Sequence, residues 1–509
     1  MFMMRASRKI FYMNALYGLK ISIIKSSYTK CLPTVTKQQC CATKKETLTI
    51  NYDKTVEKYE KTTAENEKNT AGYKKLTTDY EKLDVFRDKS TKELLRTYLV
   101  LKLSSIETFV KYSDKIFLIS DRFIWRPMMH KVMEATFYGQ FAAGVTVKDA
   151  EEKAEKLKKS SIRSMLCVPI ESIVNLNKNE SEKTVEKNKK VVEDCIQATA
   201  HVEANGFAQV KLTALCDQDV LLEMNKYLLQ YETNHQETGA WNVKSMSSLL
   251  EKQDLHKLYI PELSTNSNKK LQKLFTIVDD LTQKCVEKRT RIMIDGEQTY
   301  IQAALGYIIL VLQAKFNKDT ATVYNTYQCY RKDTLKRIKA DHELGSKYGF
   351  KIAGKLVRGA YMSLERQLAK GNNHVDPIND TYQDTTHMYH SAVDYLLPYV
   401  RRQEVAVMIA SHNESTVDYV KNRMLELQIA KDSTAICFGQ LYGMCDHVSN
   451  HLGEEGYETY KSLPYGNIED TLLYLARRSH ENKTVIERTK FERLLIKKEL
   501  KRRIFTLGN

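Results

Sequence analysis

The sequence predicts an α/β fold built from parallel strand–helix–strand units. Three observations predict it. Short β-rich runs alternate with helical ones after residue 160. Several of those runs are continuously apolar, as strands buried on both faces must be. Each then ends, on its carboxyl side, in polar or glycine-containing residues. In a (β/α)8 barrel those ends form the rim of the active site, so the pattern points to a ring of functional groups. A chain of 509 residues, 42% hydrophobic, is long enough for one such domain plus extensions.

Residues 1–45 carry nine Lys or Arg and no acid before Glu46, which accounts for nine of the sixteen excess positive charges and leaves +7 for the remainder. Basic residues interleaved with Met, Phe, Tyr, Leu, Ser and Thr have the composition of a mitochondrial transit peptide. A secretory signal fits poorly, because no uninterrupted apolar stretch precedes a small-residue cleavage site. Because the excess is concentrated in the leader and no aromatic-basic module is visible, the charge does not argue for a nucleic-acid partner.

Residues 46–93 are rich in Lys, Glu and Thr and read as a solvated helical lead-in. From Glu93 to Ser120 apolar residues recur with interspersed charge, which predicts a packed amphipathic helix pair. The chain is therefore expected to divide into a leader at 1–45, an N-terminal helical region at 46–120 and a barrel at 121–509. The tract Asn177 to Lys190 shows no apolar face and reads as an exposed loop or helix end. The strand candidates are Phe207 to Leu215, Arg291 to Ile294, Ala321 to Asn325, Lys351 to Val357, Val405 to Ala410 and Ile436 to Gln440. No G-x-G-x-x-G follows the first of these, which argues against a nicotinamide-binding fold. The ten cysteines form no C-x-x-C pair and are expected to be buried apolar residues. The richest apolar run, Tyr307 to Leu312, is too short to span a bilayer, so any membrane contact is expected to be peripheral.

Lys211 lies within the apolar string V-K-L-T-A-L, where a lysine is costly to bury unless it meets an anion. Asp295 ends the strand R-I-M-I-D, and Lys355 and Arg358 flank an apolar Leu-Val. Near residue 480, Arg477 and Arg478 are adjacent and Glu481 lies within one helical turn of both, after a turn marked by Pro464 and Gly466. Two guanidiniums and a carboxylate so placed suit a zwitterion, and equally a salt-bridged surface helix.

The strings V-K-L-T-A-L (residues 210–215), D-G-E-Q-T-Y (295–300), N-T-Y-Q-C-Y (325–330), K-L-V-R-G-A-Y (355–361), A-S-H-N-E (410–414), F-G-Q-L-Y-G-M-C-D (438–446) and Y-L-A-R-R-S-H-E-N (474–482) resemble eukaryotic proline dehydrogenases. They occur in that family's order across about residues 85–505. The resemblance implies a distorted (β/α)8 TIM barrel with an N-terminal helical extension and FAD across the carboxyl ends of the strands. It implies FAD-dependent oxidation of L-proline to Δ1-pyrroline-5-carboxylate, with no metal and no covalent nucleophile. Electrons would pass to ubiquinone through a peripheral contact on the matrix side of the inner mitochondrial membrane. By the same resemblance, Lys211, Arg477 and Arg478 bind the substrate carboxylate, Glu481 supports the arginines, and Tyr442 and Ser462 stand beside the substrate. Asp295 and Lys355 organise the catalytic site beside the flavin. Gln328, Arg358, Gly359, Ala360, Ser411 and His412 match positions that line FAD, and Gly296 stands where the family usually has Ala.

Two departures stand out. Proline-specific members carry Tyr where this chain has Ser462 in K-S-L-P-Y-G, and with C-D-H-V-S (445–449) that string resembles the hydroxyproline dehydrogenase branch. A serine leaves space with a donor and an acceptor, which suits trans-4-hydroxy-L-proline. Cys167 replaces an Asp usual in an L-D-Y string. A flavin-free relative serving as an interaction scaffold is the competing reading from another class.

Overall fold

The computed structural model describes residues 85–86, 88–106, 126–170, 178–235, 259–471, 474–475 and 483–506. The expected leader, the lead-in up to residue 84, and residues 107–120 of the expected helix pair lie outside them. In chain order the elements are α1 (Thr91–Ser104), α2 (Arg126–Ala135), α3 (Phe137–Phe141), α4 (Val147–Lys158), β1 (Arg163–Cys167), α5 (Lys178–Val202), β2 (Phe207–Val210), α6 (Gln218–His235) and α7 (Thr265–Glu287). They continue with β3 (Arg291–Ile294), α8 (Thr299–Phe316), β4 (Val323–Gln328), α9 (Thr334–Tyr348), β5 (Ile352–Val357), α10 (Met362–Asn372), α11 (Tyr382–Arg401) and β6 (Val405–Ala410). Last come α12 (Glu414–Glu426), β7 (Ile436–Leu441), α13 (Asp446–Glu454), β8 (Thr459–Pro464) and α14 (Lys483–Thr506).

The strands are parallel and pair in sequence order, with β1 against both β2 and β8, so the sheet closes into a barrel. Helices intervene between consecutive strands, as parallel connections require. The predicted (β/α)8 barrel with an N-terminal helix is therefore the observed fold. Alternation along each strand sorts its residues into two cores. Met165, Phe207, Met293, Tyr324, Ala353, Met408, Cys437 and Tyr460 fill the barrel interior. Leu166, Ala208, Ile292, Ile294, Val323, Leu356, Val407 and Phe438 face outward into the helix layer. At the amino-terminal end Arg291 closes the interior: its guanidinium lies 3.9 Å from the Phe207 ring centroid and donates to the Tyr460 hydroxyl at 2.8 Å.

Several expectations shift. The strand at Phe207 ends at Val210, and Leu212–Ala214 form a 3-10 turn, so Lys211 sits just past the strand rather than inside it. Strand β4 begins at Val323 and runs on to Gln328, beyond the expected Asn325. Two strands escaped the sequence reading, β1 and β8, because R-S-M-L-C and T-Y-K-S-L-P are not continuously apolar. Pro464 is the last residue of β8 rather than part of the following turn, and Gly466 takes a φ of +136°. The tract at 177–190 is mostly the amino-terminal half of α5, and Ser181, Val185 and Asn188 are buried, so it has a packed face. Tyr307–Leu312 lies in α8, a helix that is long and apolar enough to cross a bilayer by composition; twelve of its eighteen residues are buried in the core. Cys167, Cys195, Cys216, Cys285, Cys329, Cys437 and Cys445 are all buried, and none of these seven is disulfide-bonded.

A polar network outside the barrel binds the turn after β7 to both ends of the described chain. Lys461 of β8 is 1% exposed, so its ammonium requires partners. It pairs with Asp446 at 2.9 Å and donates to the carbonyls of Leu441 and Met444. Asp446 also pairs with Lys89, which precedes α1. Burial works against the Asp446 carboxylate, but the two lysines outweigh it and hold the group well below its usual range. Glu492 of α14, fully buried, accepts the backbone N–H groups of Cys445 at 3.0 Å and Asp446 at 2.9 Å. Beside it His447 bonds Glu414 at 2.8 Å.

Burial disfavours the charged form of His447, yet Glu414 and Glu492 reverse the balance and raise it to about 9. Its folded pKa exceeds the unfolded one, so the stabilisation is complete below about pH 6.5 and disappears as pH rises through about 9. His447→Gln is therefore expected to lower unfolding free energy by roughly 3 kcal/mol at pH 6. The gap from wild type should close toward pH 10, as read from urea unfolding at both pH values; a gap independent of pH would disprove the assignment.

Candidate active site at the barrel mouth

Most strand positions are buried, and the exceptions cluster. The half-buried residues at or just past the carboxyl ends include Gln209 of β2 and Lys211 just past it, Asp295 after β3, Val357 of β5, Ala410 of β6 and Leu441 of β7. Each lies an even number of residues along from an interior residue of its own strand, so alternation turns all of them toward the barrel axis. Lys211 keeps this direction because its backbone remains extended, at φ −105° and ψ 126°. A half-open space lined by these side chains is what a parallel barrel offers as an active site.

Charge within this space is paired. Lys355 of β5, 8% exposed, donates to Asp295 at 2.8 Å, which joins two residues predicted to act together. Lys211 does have an anion nearby, and it is the protein's own: Glu297, 2% exposed, feels its charge. Burial raises the Glu297 pKa, and Lys211 and the Thr213 hydroxyl, which donates at 2.8 Å, oppose the rise. Gln328 bridges neighbouring loops, donating to the Glu297 carbonyl at 2.7 Å and accepting from Arg331 at 3.3 Å. A Cβ on Gly296 would meet the Gln328 side chain at 3.3 Å, so the glycine lets these two loops approach closely.

The end of β5 leads into an irregular loop. Arg358 donates to Thr416 at 2.8 Å and Thr386 at 2.7 Å, with its guanidinium 5.0 Å from the Tyr382 ring centroid. Gly359 is exposed and Ala360 half-buried, and Tyr361 then adopts a left-handed φ of +57°, an uncommon conformation for an aromatic residue. After β6, Ser411 is buried and its hydroxyl accepts from the Asn413 N–H at 3.1 Å. His412 accepts the Leu441 N–H on Nε2 at 2.9 Å, which leaves the neutral ring its proton on Nδ1. Ser462 of β8 points inward and donates to Gln209 at 3.0 Å.

The structure thus brings Lys211, Asp295, Lys355 and Ser462 to one mouth, and sets Gln328, Arg358, Gly359, Ala360, Ser411 and His412 around the ends of β4, β5 and β6. Tyr442 is placed differently. Its N–H donates to the Ser462 carbonyl at 3.0 Å, but its ring packs on the outer core. Burial raises its phenol pKa, and the nearby charges are Asp446 and, from α1, Arg96 and Glu93. Arg477, Arg478 and Glu481 lie outside the described residues. Sequence reasoning missed Gln209, Glu297, Tyr361, Leu441 and Lys461. Gln209 was recoverable as the residue two before Lys211 on the same strand face; Lys461 carried no local signal.

A family model described as proline dehydrogenase matches residues 150–490. The hydroxyproline dehydrogenase of Xenopus laevis is 34% identical over 424 residues, covering 83% of this chain and 89% of that protein. The mitochondrial proline dehydrogenase 1 of Caenorhabditis elegans is 30% identical over 538 aligned residues, covering 83% and 87%. Among solved structures, proline utilization A from Bdellovibrio bacteriovorus inactivated by N-propargylglycine aligns with a TM-score of 0.55 at 19% identity. That match covers 78% of this chain but only 37% of the longer protein, and it speaks for the fold alone. With the model spanning well over half of the chain, and the barrel and its ring of inward polar residues in place, the protein belongs to the proline dehydrogenase family.

Proposed function

We propose that the protein is a mitochondrial FAD-dependent dehydrogenase that oxidises the five-membered ring of L-proline to Δ1-pyrroline-5-carboxylate and passes electrons to ubiquinone on the matrix side of the inner membrane. The observation that carries this reading is the inward pair of lysines, Lys211 and Lys355, at the ends of β2 and β5 beside Asp295 and Glu297. A small zwitterion matches such alternating charge.

The residues at the ends of β4, β5 and β6 fit a flavin dinucleotide. Arg358, held by two hydroxyls, supplies a cation, with Gly359 exposed and Ala360 half-buried beside it and His412 following β6. FAD, when bound, would accept the hydride from the ring carbon next to nitrogen. The chain's own part is binding and orientation. Lys211 would hold the substrate carboxylate, together with Arg477 and Arg478 and with Glu481 fixing the arginines, and so align the ring. The Lys355–Asp295 pair would fix the electrostatics beside the flavin. Cations around the site favour the unprotonated ring nitrogen, the form from which hydride can leave. Val357, Ala410 and Leu441 supply half-buried apolar wall. A peripheral membrane contact would suffice for electron transfer to quinone.

Ser462 favours a second substrate, trans-4-hydroxy-L-proline. It is 4% exposed, points into the barrel and presents a hydroxyl where proline-specific relatives present an aromatic ring. Names borne by the relatives include both activities.

Flavin bleaching of the purified protein under anaerobic conditions, with the two imino acids side by side and a quinone added afterwards, tests the reading. Bleaching by either, followed by quinone reoxidation, is expected; no bleaching with either would overturn it. Arg477→Ala and Arg478→Ala are each expected to cut kcat/KM about 100-fold, the scale of an unpaired buried charge, with FAD still bound. Near-normal turnover in both variants would refute the carboxylate clamp.

A further inference from the structure

Resting on that reading, we infer that Gln209 determines specificity by setting the Ser462 hydroxyl as a hydrogen-bond acceptor for a hydroxylated substrate ring. Phe207 lies in the barrel interior, so Gln209, two residues further along β2, points into the same space, as does Ser462, two residues beyond interior Tyr460. Strands β2 and β8 both pair with β1, and the two side chains meet across it. The Ser462 hydroxyl donates to Gln209 Oε1 at 3.0 Å, and Gln209 Nε2 is directed to Met165 Sδ at 3.2 Å. The thioether, a weak acceptor, thereby orients the amide so that its oxygen faces the serine.

A serine hydroxyl has one proton and two lone pairs. With the proton committed to Gln209, Ser462 can only accept. A ring hydroxyl entering the mouth must therefore donate to it, while the carboxylate is held at Lys211, the next inward residue on the same strand. Gln209 is half-buried and Ser462 nearly fully so, which puts this contact at the floor of the open space. The pair also satisfies itself when no ring hydroxyl is present. Proline then strands no buried polar group, and discrimination is limited to one neutral hydrogen bond, about tenfold, instead of the orders of magnitude seen when a buried group is left unpaired.

The test uses the flavin-loaded full chain as wild type, Gln209→Leu, Ser462→Ala and the double variant. The ratio of kcat/KM for trans-4-hydroxy-L-proline to that for L-proline is read from anaerobic bleaching, and the ratio of their affinities from calorimetry on chemically reduced protein. Ser462→Ala and the double variant are each expected to lower both ratios about tenfold, because the contact is lost in both, whereas Gln209→Leu is expected to raise both about tenfold, because Ser462 is then left unpaired by L-proline and satisfied by the hydroxylated ring. Unchanged or lowered ratios in Gln209→Leu, or a double variant whose ratios differ from those of Ser462→Ala, overturn the inference. Gln209→Met, of similar length, carries the same test if Gln209→Leu does not fold. A wild type that turns over neither ring yet binds the hydroxylated one more tightly would remove the dehydrogenase reading and leave the Gln209–Ser462 pair standing; binding of neither would remove both.

Discussion

Closure of a parallel sheet on itself imposes the constraint from which the rest follows. Once β1 pairs with β8, every strand has one face in a space that only side chains can fill. The lower and middle levels are filled by large residues, with Phe207, Tyr324 and Tyr460 packed edge-to-face at centroid separations of 4.9 and 5.2 Å and Arg291 beneath them. With those levels filled by packed side chains, the half-open inward positions are those at the carboxyl ends. The functional rim is thus a consequence of packing at the other end of the barrel.

The rim then has to hold charges in a setting of low polarizability. Lys355 against Asp295 and Lys211 near Glu297 arrange alternating signs around a half-open space. Such an arrangement leaves neither sign uncompensated within the protein itself. Glu297 further joins the turn after β2, the end of β4 and the first turn of α8, through Thr213, Gln328 and Gln302. Displacement of one of these elements would therefore be felt by the others.

A second consequence concerns the turn between β7 and α13. It follows Leu441, the mouth-lining last residue of β7, and it is fixed by groups remote in sequence. Lys461 holds its carbonyls, His412 holds the Leu441 N–H, Gln140 donates to the Gly443 carbonyl at 2.7 Å, and Glu492 caps the N–H groups that follow. Lys89 completes the set through Asp446. Gly443, at φ +77°, has Gln140 O within 2.0 Å of where a Cβ would stand, so only glycine fits. Elements from both ends of the described chain thus share in shaping one side of the mouth.

The sequence by itself determined the fold class, the positions of six strands and most residues of the rim, because burial on both faces writes a continuous apolar run and a strand end writes a polar one. Lys211, Asp295 and Lys355 were legible for that reason. It misread β1 and β8, since Ser164, Lys461 and Ser462 are polar yet buried, and their burial depends on partners far along the chain. Tyr442 stood in a telling string, but strand alternation turned Leu441 inward and sent the tyrosine ring to the outer core. The pairing of Ser462 with Gln209, of Lys211 with Glu297 and of Lys461 with Asp446 was decided only by the tertiary structure. A buried polar group is tolerated according to what it meets in space, and barrel closure alone brings residues 209 and 462 within hydrogen-bond distance.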